Sequence, residues 1–90
     1  MNYLKFDLGH QQQGKLVKIL IKGNAANVRL LDHKNMFNYE HDHEFTSVST
    51  FAQTALTELR IPREEHWFVV VDMKGVRKAE GRVDATVSVV

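Results

Sequence analysis

An all-β domain, sandwich-like or barrel-like with about six short strands, is what this sequence predicts, and three observations predict it. Apolar and polar residues alternate with a period of two near both ends, at Leu4, Phe6 and Leu8 and again at Val83, Ala85, Val87 and Val89. Lys15 to Lys22 is rich in β-branched residues, with Val17, Ile19 and Ile21 on one face and Leu16, Lys18, Leu20 and Lys22 on the other. Trp67 to Val71 is apolar at every position, the pattern of a central strand covered on both sides.

The elements follow in order. The alternation over Tyr3–Leu8 predicts a half-buried strand, and Gly9-His10-Gln11-Gln12-Gln13-Gly14 a polar turn. The second strand ends at Gly23-Asn24. Asn27 to Asp32 predicts a third, with Val28 and Leu30 on one face and Arg29 and Leu31 on the other. His33 to Glu44 reads as an irregular polar stretch. Beyond it the pattern supports two structures. Val48, Phe51, Ala52, Ala55, Leu56 and Leu59 recur at helical spacing, and Ser47 or Ser49 is a suitable N-cap, which predicts a short helix near 47–56. Ala55, Thr57, Leu59 and Ile61 also alternate with Leu56, Glu58 and Arg60, as in a strand ending at Pro62. A turn at Lys74-Gly75 separates the apolar Trp67–Val71 strand from the last one.

Ninety residues allow one domain, 1–90, and no second core. Surface scaling gives roughly 5,400 Å² exposed when folded, against roughly 15,000 Å² for the extended chain. There is no cysteine, so neither disulfides nor thiolate zinc sites contribute. Lys and Arg total 12 against 11 Asp and Glu, a balance without the basic excess of a dedicated nucleic-acid binder. No basic region followed by an apolar run opens the chain, and its longest apolar run is far too short to span a bilayer. The expectation is a cytoplasmic protein with no membrane partner and no cofactor.

Two segments carry candidate chemistry. In Glu40-His41-Asp42-His43-Glu44, an extended backbone would turn His41 and His43 to one face, a spacing that lets both imidazoles reach one metal ion; His10, His33 or His66 would have to complete a tetrahedral site. A solvated polar loop is the simpler reading. Lys74, Arg77, Lys78 and Arg82 form the densest basic stretch, able to contact an anion from a hairpin tip, although Asp72, Glu80 and Asp84 dilute it. Trp67 fits a core position better than a stacking platform. Catalysis has no support: there is no Gly-x-Ser-x-Gly elbow, no His-Glu-x-x-His motif and no phosphate-cradling glycine loop. The expectation is a non-catalytic module that binds a protein or ligand, self-association through an edge strand included; the alternative is a small metal or anion binder.

Three segments carry a resemblance. Tyr3 to His10, Asn24 to Asp32 with Asn35 and Asn38-Tyr39, and His66 to Asp72 with Gly75 resemble the motifs of a small bacterial domain family of unassigned function. The resemblance spans nearly the whole chain. It implies two interlocked β-sheets in a sandwich-like fold and, because some related proteins carry the domain ahead of a TIR signalling domain, a recognition role. The chain departs from the family where a Tyr-Tyr-Gly-Gly run is usual, reading Phe45-Thr46-Ser47-Val48-Ser49-Thr50 there. The family's Pro-x-x-x-x-x-Pro segment, a strand, falls on Ala55 to Pro62, so the resemblance favours strand over helix in the middle of the chain.

Overall fold

A computed structural model describes residues 3–53, 56–76 and 82–90. The elements run β1 (Tyr3–Gln11), β2 (Leu16–Gly23), β3 (Ala26–Asp32), α1 (His33–Glu40), β4 (Val48–Ala52), β5 (Leu56–Arg60), β6 (Glu65–Asp72) and β7 (Val83–Val89). Two antiparallel sheets form, one of order β1-β6-β3-β4 and one of order β5-β2-β7. Every connection except β3 to β4 passes from one sheet to the other, so the sheets interlock. Strand β1 approaches β7 at one side and β4 approaches β5 at the other, but the described residues remain a sandwich rather than a closed barrel. The strands number seven among the described residues, rather than about six. The folded surface, 5695 Å², is close to the value expected from size.

The core between the sheets is made by the residues whose alternation marks the strands. Val17, Ile19 and Ile21 of β2 meet Val28 and Leu30 of β3 and Trp67, Val69 and Val71 of β6, with Leu4, Phe6 and Leu8 of β1 at the margin. Strand β6 lies between β1 and β3, and its second face is also covered. There Phe68 and Val70 join Leu31 under Met36 and Tyr39 of α1. That double coverage is the physical reason for an uninterrupted apolar run. In β1 a bulge between Asp7 and Gly9 breaks the register with β6. Gly9 takes the positive φ the bulge requires, 71°, and donates its N–H to Asp7 Oδ1 at 2.8 Å.

Two expectations are corrected. The stretch from His33 is not irregular: it opens with α1, capped by Asp32, whose Oδ1 accepts the Asn35 N–H at 2.9 Å. Only Met36 and Tyr39 are buried, so this short helix packs by a pair of residues three apart and leaves Phe37 exposed. The short helix near 47–56 is absent from the described part of that stretch. Val48–Ala52 is a strand paired with β3, and Leu56–Arg60 is a strand paired with β2; residues 54 and 55 lie outside the described residues. The apparent helical stripe mixes the two faces of a strand, since Ala52 packs in the inter-sheet core and Val48 shares its side of the strand, while Phe51 lies on the opposite side beside Asn27.

Candidate functional site

The outer face of the four-stranded sheet gathers most of the polar chemistry. At its centre Asp72, the last residue of β6, has a fully buried carboxylate. Its Oδ2 accepts Arg29 Nε at 2.8 Å and the Tyr39 hydroxyl at 2.6 Å. Its Oδ1 accepts Asn27 Nδ2 at 2.9 Å and the Lys74 N–H at 3.1 Å. Burial alone would raise the Asp72 pKa, but the bonds from Arg29, Tyr39, Asn27 and the Lys74 backbone prevail and hold it below the usual carboxylate range. Burial first, then the bond to Asp72, pushes the Tyr39 phenol far above its ordinary value. The Tyr39 ring meets Tyr3 and Phe45 edge-on, with centroids 5.3 and 5.2 Å away. At the end of α1, Glu40 accepts the Tyr3 hydroxyl at 2.8 Å and pairs with Lys5 at 3.1 Å.

These contacts bind helix to sheet and leave little for chemistry. Asp72 has its lone-pair positions filled, and Tyr39 is held as a donor, so neither is poised to take a proton from a substrate. Among the described residues no buried side-chain polar atom lacks a partner. The segments that carry the family resemblance converge here: Tyr3, Asn27, Arg29, Tyr39 and Asp72 come from three separated stretches and form one connected network.

A cleft opens at the N-terminus of α1. Asp32, Asn35, Ser47, Val48 and Arg63 line a volume of about 190 Å³. Past Asn35 and Thr46 it continues into a shallower one of about 370 Å³ between Lys34, Asn38 and Glu44. Asn35 bridges the two, donating to Asp32 Oδ1 at 2.9 Å and accepting the Thr46 N–H at 2.9 Å. Arg63 pairs with Asp32 and lies over the Trp67 ring at 5.1 Å. Trp67 is a core residue, 3% exposed, with its indole N–H donated to the Arg63 carbonyl at 3.0 Å.

The histidines divide between the two ends of α1. His33, at its start, lies 6.1 Å from His66, which pairs with Asp7 at 2.6 Å, while His10 pairs with Glu64 at 2.7 Å. His41 and His43 follow its end. The Glu40–Glu44 segment is not extended: it turns through Asp42 in the left-handed region (φ 57°), and the two imidazole centroids sit 6.2 Å apart. His41 Nδ1 donates to the Phe37 carbonyl at 2.8 Å and its ring stacks on Phe37 at 4.0 Å. Glu40 turns away to β1. Among the described residues no group of three or more histidine and acidic side chains is placed to hold a metal ion.

Of the basic stretch, Lys74 lies with its ammonium 4.4 Å from the Tyr39 ring, and Arg82 lines an open cavity of about 400 Å³ with Tyr3, Leu4, Asp72 and Asp84. Arg77 and Lys78 lie outside the described residues. No described helix is long and apolar enough to cross a membrane.

Strand β4 is the feature the sequence reading passed over. It is an edge strand, and Val48, Ser49, Thr50 and Phe51 are all exposed, on both faces. Val48 and Thr50 pair with Leu30 and Val28, which are fully buried in the inter-sheet core. The second sheet therefore stops short of β4, and the strand overhangs the sandwich. Its sequence signal is an absence: the thirteen residues from Phe45 to Thr57 contain no charge, histidine, proline or glycine.

An interlocked two-sheet sandwich with a saturated polar hub and a bare edge belongs to the class of small all-β modules. The chain belongs to the family described as a domain of unknown function (DUF1883), whose model matches residues 1–89. Searches of curated proteins and of solved structures gave no match.

Proposed function

We propose that this domain is a non-catalytic interaction module that binds a protein partner by accepting a strand at the β4 edge. The observation that carries the reading is the exposure of four successive residues on an uncharged edge strand. Natural sheets guard such edges with lysine, proline, bulges or a covering element. Strand β1, the other edge of the same sheet, has a bulge and carries Lys5 and Asp7, and β5 carries Glu58 and Arg60 before Pro62. Among the described residues strand β4 has none of these devices. Its outward N–H and C=O groups would supply main-chain hydrogen bonds, and Val48 and Phe51 would supply side-chain selectivity on opposite faces. The satisfied state of Asp72 and Tyr39 supports a structural role for the polar hub. The resemblance to domains carried ahead of TIR signalling domains points the same way.

Selection from a displayed peptide library on the immobilised domain tests this. Extended apolar peptides are expected to be recovered, and their binding to be lost in Thr50→Lys with thermal stability retained. Recovery of no peptide by the domain immobilised as a monomer, or of peptides indifferent to Thr50→Lys, would refute it.

A further inference from the structure

We infer that the strand occupying this edge is β4 of a second copy of the chain, paired antiparallel about a two-fold axis at Thr50; the inference rests on the edge reading above. An isologous pairing places each residue opposite its mirror position in the partner. For both protomers to keep their helix-covered faces on the same side of a continuous sheet, the axis must pass through a residue, and Thr50 is the middle of β4. Thr50 then faces Thr50, Val48 faces Ala52, and Ser49 faces Phe51. The inner-face contacts match in character: two threonines form a favourable cross-strand pair, and the apolar side chains of Val48 and Ala52 meet.

Charge separates β4 from the β5 and β1 edges, though not from β7, whose one charge, Asp84, would face Ser88 in a pairing about Thr86. Self-pairing about the centre of β5 would set Glu58 against Glu58, and about the centre of β1, Asp7 against Asp7. Within Thr46–Gln53 no charge meets its like. The overhang contributes too. Val48 and Thr50 of each copy are left uncovered on the inner face by their own second sheet, and pairing sets the two uncovered strips side by side. The product is one eight-stranded sheet made from two four-stranded ones, with no free β4 edge. A contact of five residues per chain is short, so the dimer is a weak one that responds to concentration.

The chain's lack of cysteine makes the test clean. Opposed residues in an antiparallel pair have Cα atoms about 4.5–5.5 Å apart, inside the range a disulfide spans. Thr50→Cys is expected to form a covalent dimer under mild oxidation, and Glu58→Cys, also exposed but on β5, to remain reduced. Sedimentation of the unmodified chain from roughly 1 µM to 1 mM, the range of weak small interfaces, is expected to show monomer passing to dimer. Thr50→Lys and Thr50→Glu should each weaken dimerisation by about tenfold or more through like charges at the axis, and an equimolar mixture of the two should restore it. Monomer throughout, with no selective cross-link at position 50, overturns the inference. A monomer that still selects Thr50-dependent peptides overturns the self-pairing alone and leaves the edge reading standing. A monomer that selects none overturns both.

Discussion

The Tyr39 hydroxyl donates to Asp72 Oδ2 at 2.6 Å, joining helix α1 to the central strand β6 through a carboxylate with no exposed side-chain surface. Because Arg29 and Asn27 of β3 bind the same carboxylate, one side chain ties three elements together. Breaking a buried ion pair from one side costs about 3–5 kcal/mol, since the partner is left without its counter-charge. Asp72→Ala is expected to lose that much in urea unfolding. Tyr39→Phe removes one bond to a charged acceptor and is expected to lose about 1.5–3 kcal/mol. An Asp72→Ala variant within about 1 kcal/mol of the parent would show that the hub contributes little net stability.

The same hub sets an acid limit. In Asp72, and likewise in Asp32, burial pushes the pKa up but is outweighed: by Arg29, Tyr39 and Asn27 in the first, and by the Asn35 N–H, the Asn35 side chain and Arg63 in the second. A folded pKa below the unfolded one means the unfolded chain takes up the proton first as pH falls. The stability these groups supply is therefore fully present above about pH 5 and drains away as pH falls through the folded values. Tyr39 works in the opposite direction, its raised pKa favouring the folded state until alkaline pH, above about 10. Melting temperature followed from pH 7 to pH 2 should fall steeply on the acid side for the parent chain and less steeply for Asp72→Asn. Parallel acid limbs would mean that other carboxylates govern acid unfolding.

Trp67 fills the inter-sheet core at the start of β6, where its ring also carries Arg63. Trp67→Ala is expected to cost about 3–5 kcal/mol, as truncations of large core aromatics do. A melt nearly unchanged by this substitution would place the side chain in solvent and return it to consideration as a binding surface.

How much of this was readable beforehand depends on whether the signal is local. Strands β2, β6 and β7 were legible because burial of one or both faces writes itself into residue order. Helix α1 was not, because two buried residues in eight give no repeating stripe and its cap, Asp32, also closes β3. The Asp72 hub was hidden in a different way. Its partners stand at positions 27, 29, 39 and 74, and only sheet register brings them together. The family resemblance picked out the same segments without giving the reason. The exposure of β4 depends on strand order and on how far the opposite sheet reaches, neither of which a single strand's pattern encodes.

Gly23 closes β2 at φ 97°, and its missing side chain leaves room for the Arg82 carbonyl, which accepts the Asn24 N–H at 3.0 Å. A methyl group there would run into that carbonyl oxygen, a backbone atom that cannot swing aside. Gly75 has a similar φ, 70°, with open space around it. Gly75→Ala therefore tests the backbone conformation alone, at about 1 kcal/mol, and Gly23→Ala is expected to cost more because the clash is added to the strain. Equal losses at the two positions would mean the β2–β3 turn relaxes freely away from β7.

Zinc provides the sharpest check on the histidine segment. His41 has its Nδ1 committed to the Phe37 carbonyl, which leaves Nε2 as its lone pair, and the nearest second imidazole is that of His43. Glu40, which the sequence places beside them, is held by Tyr3 and Lys5 on β1. Two ligands without a third give a site far weaker than the three or four that zinc takes in proteins. Zinc should therefore shift the melting temperature of the parent chain and of His41→Ala/His43→Ala equally. Ligand at a hundred times its dissociation constant adds about 2.7 kcal/mol, several degrees in a domain of this size, so a specific site could not pass unnoticed. A saturable shift present in the parent and absent from the double variant would show that the turn through Asp42 rearranges to bring a further ligand to the metal.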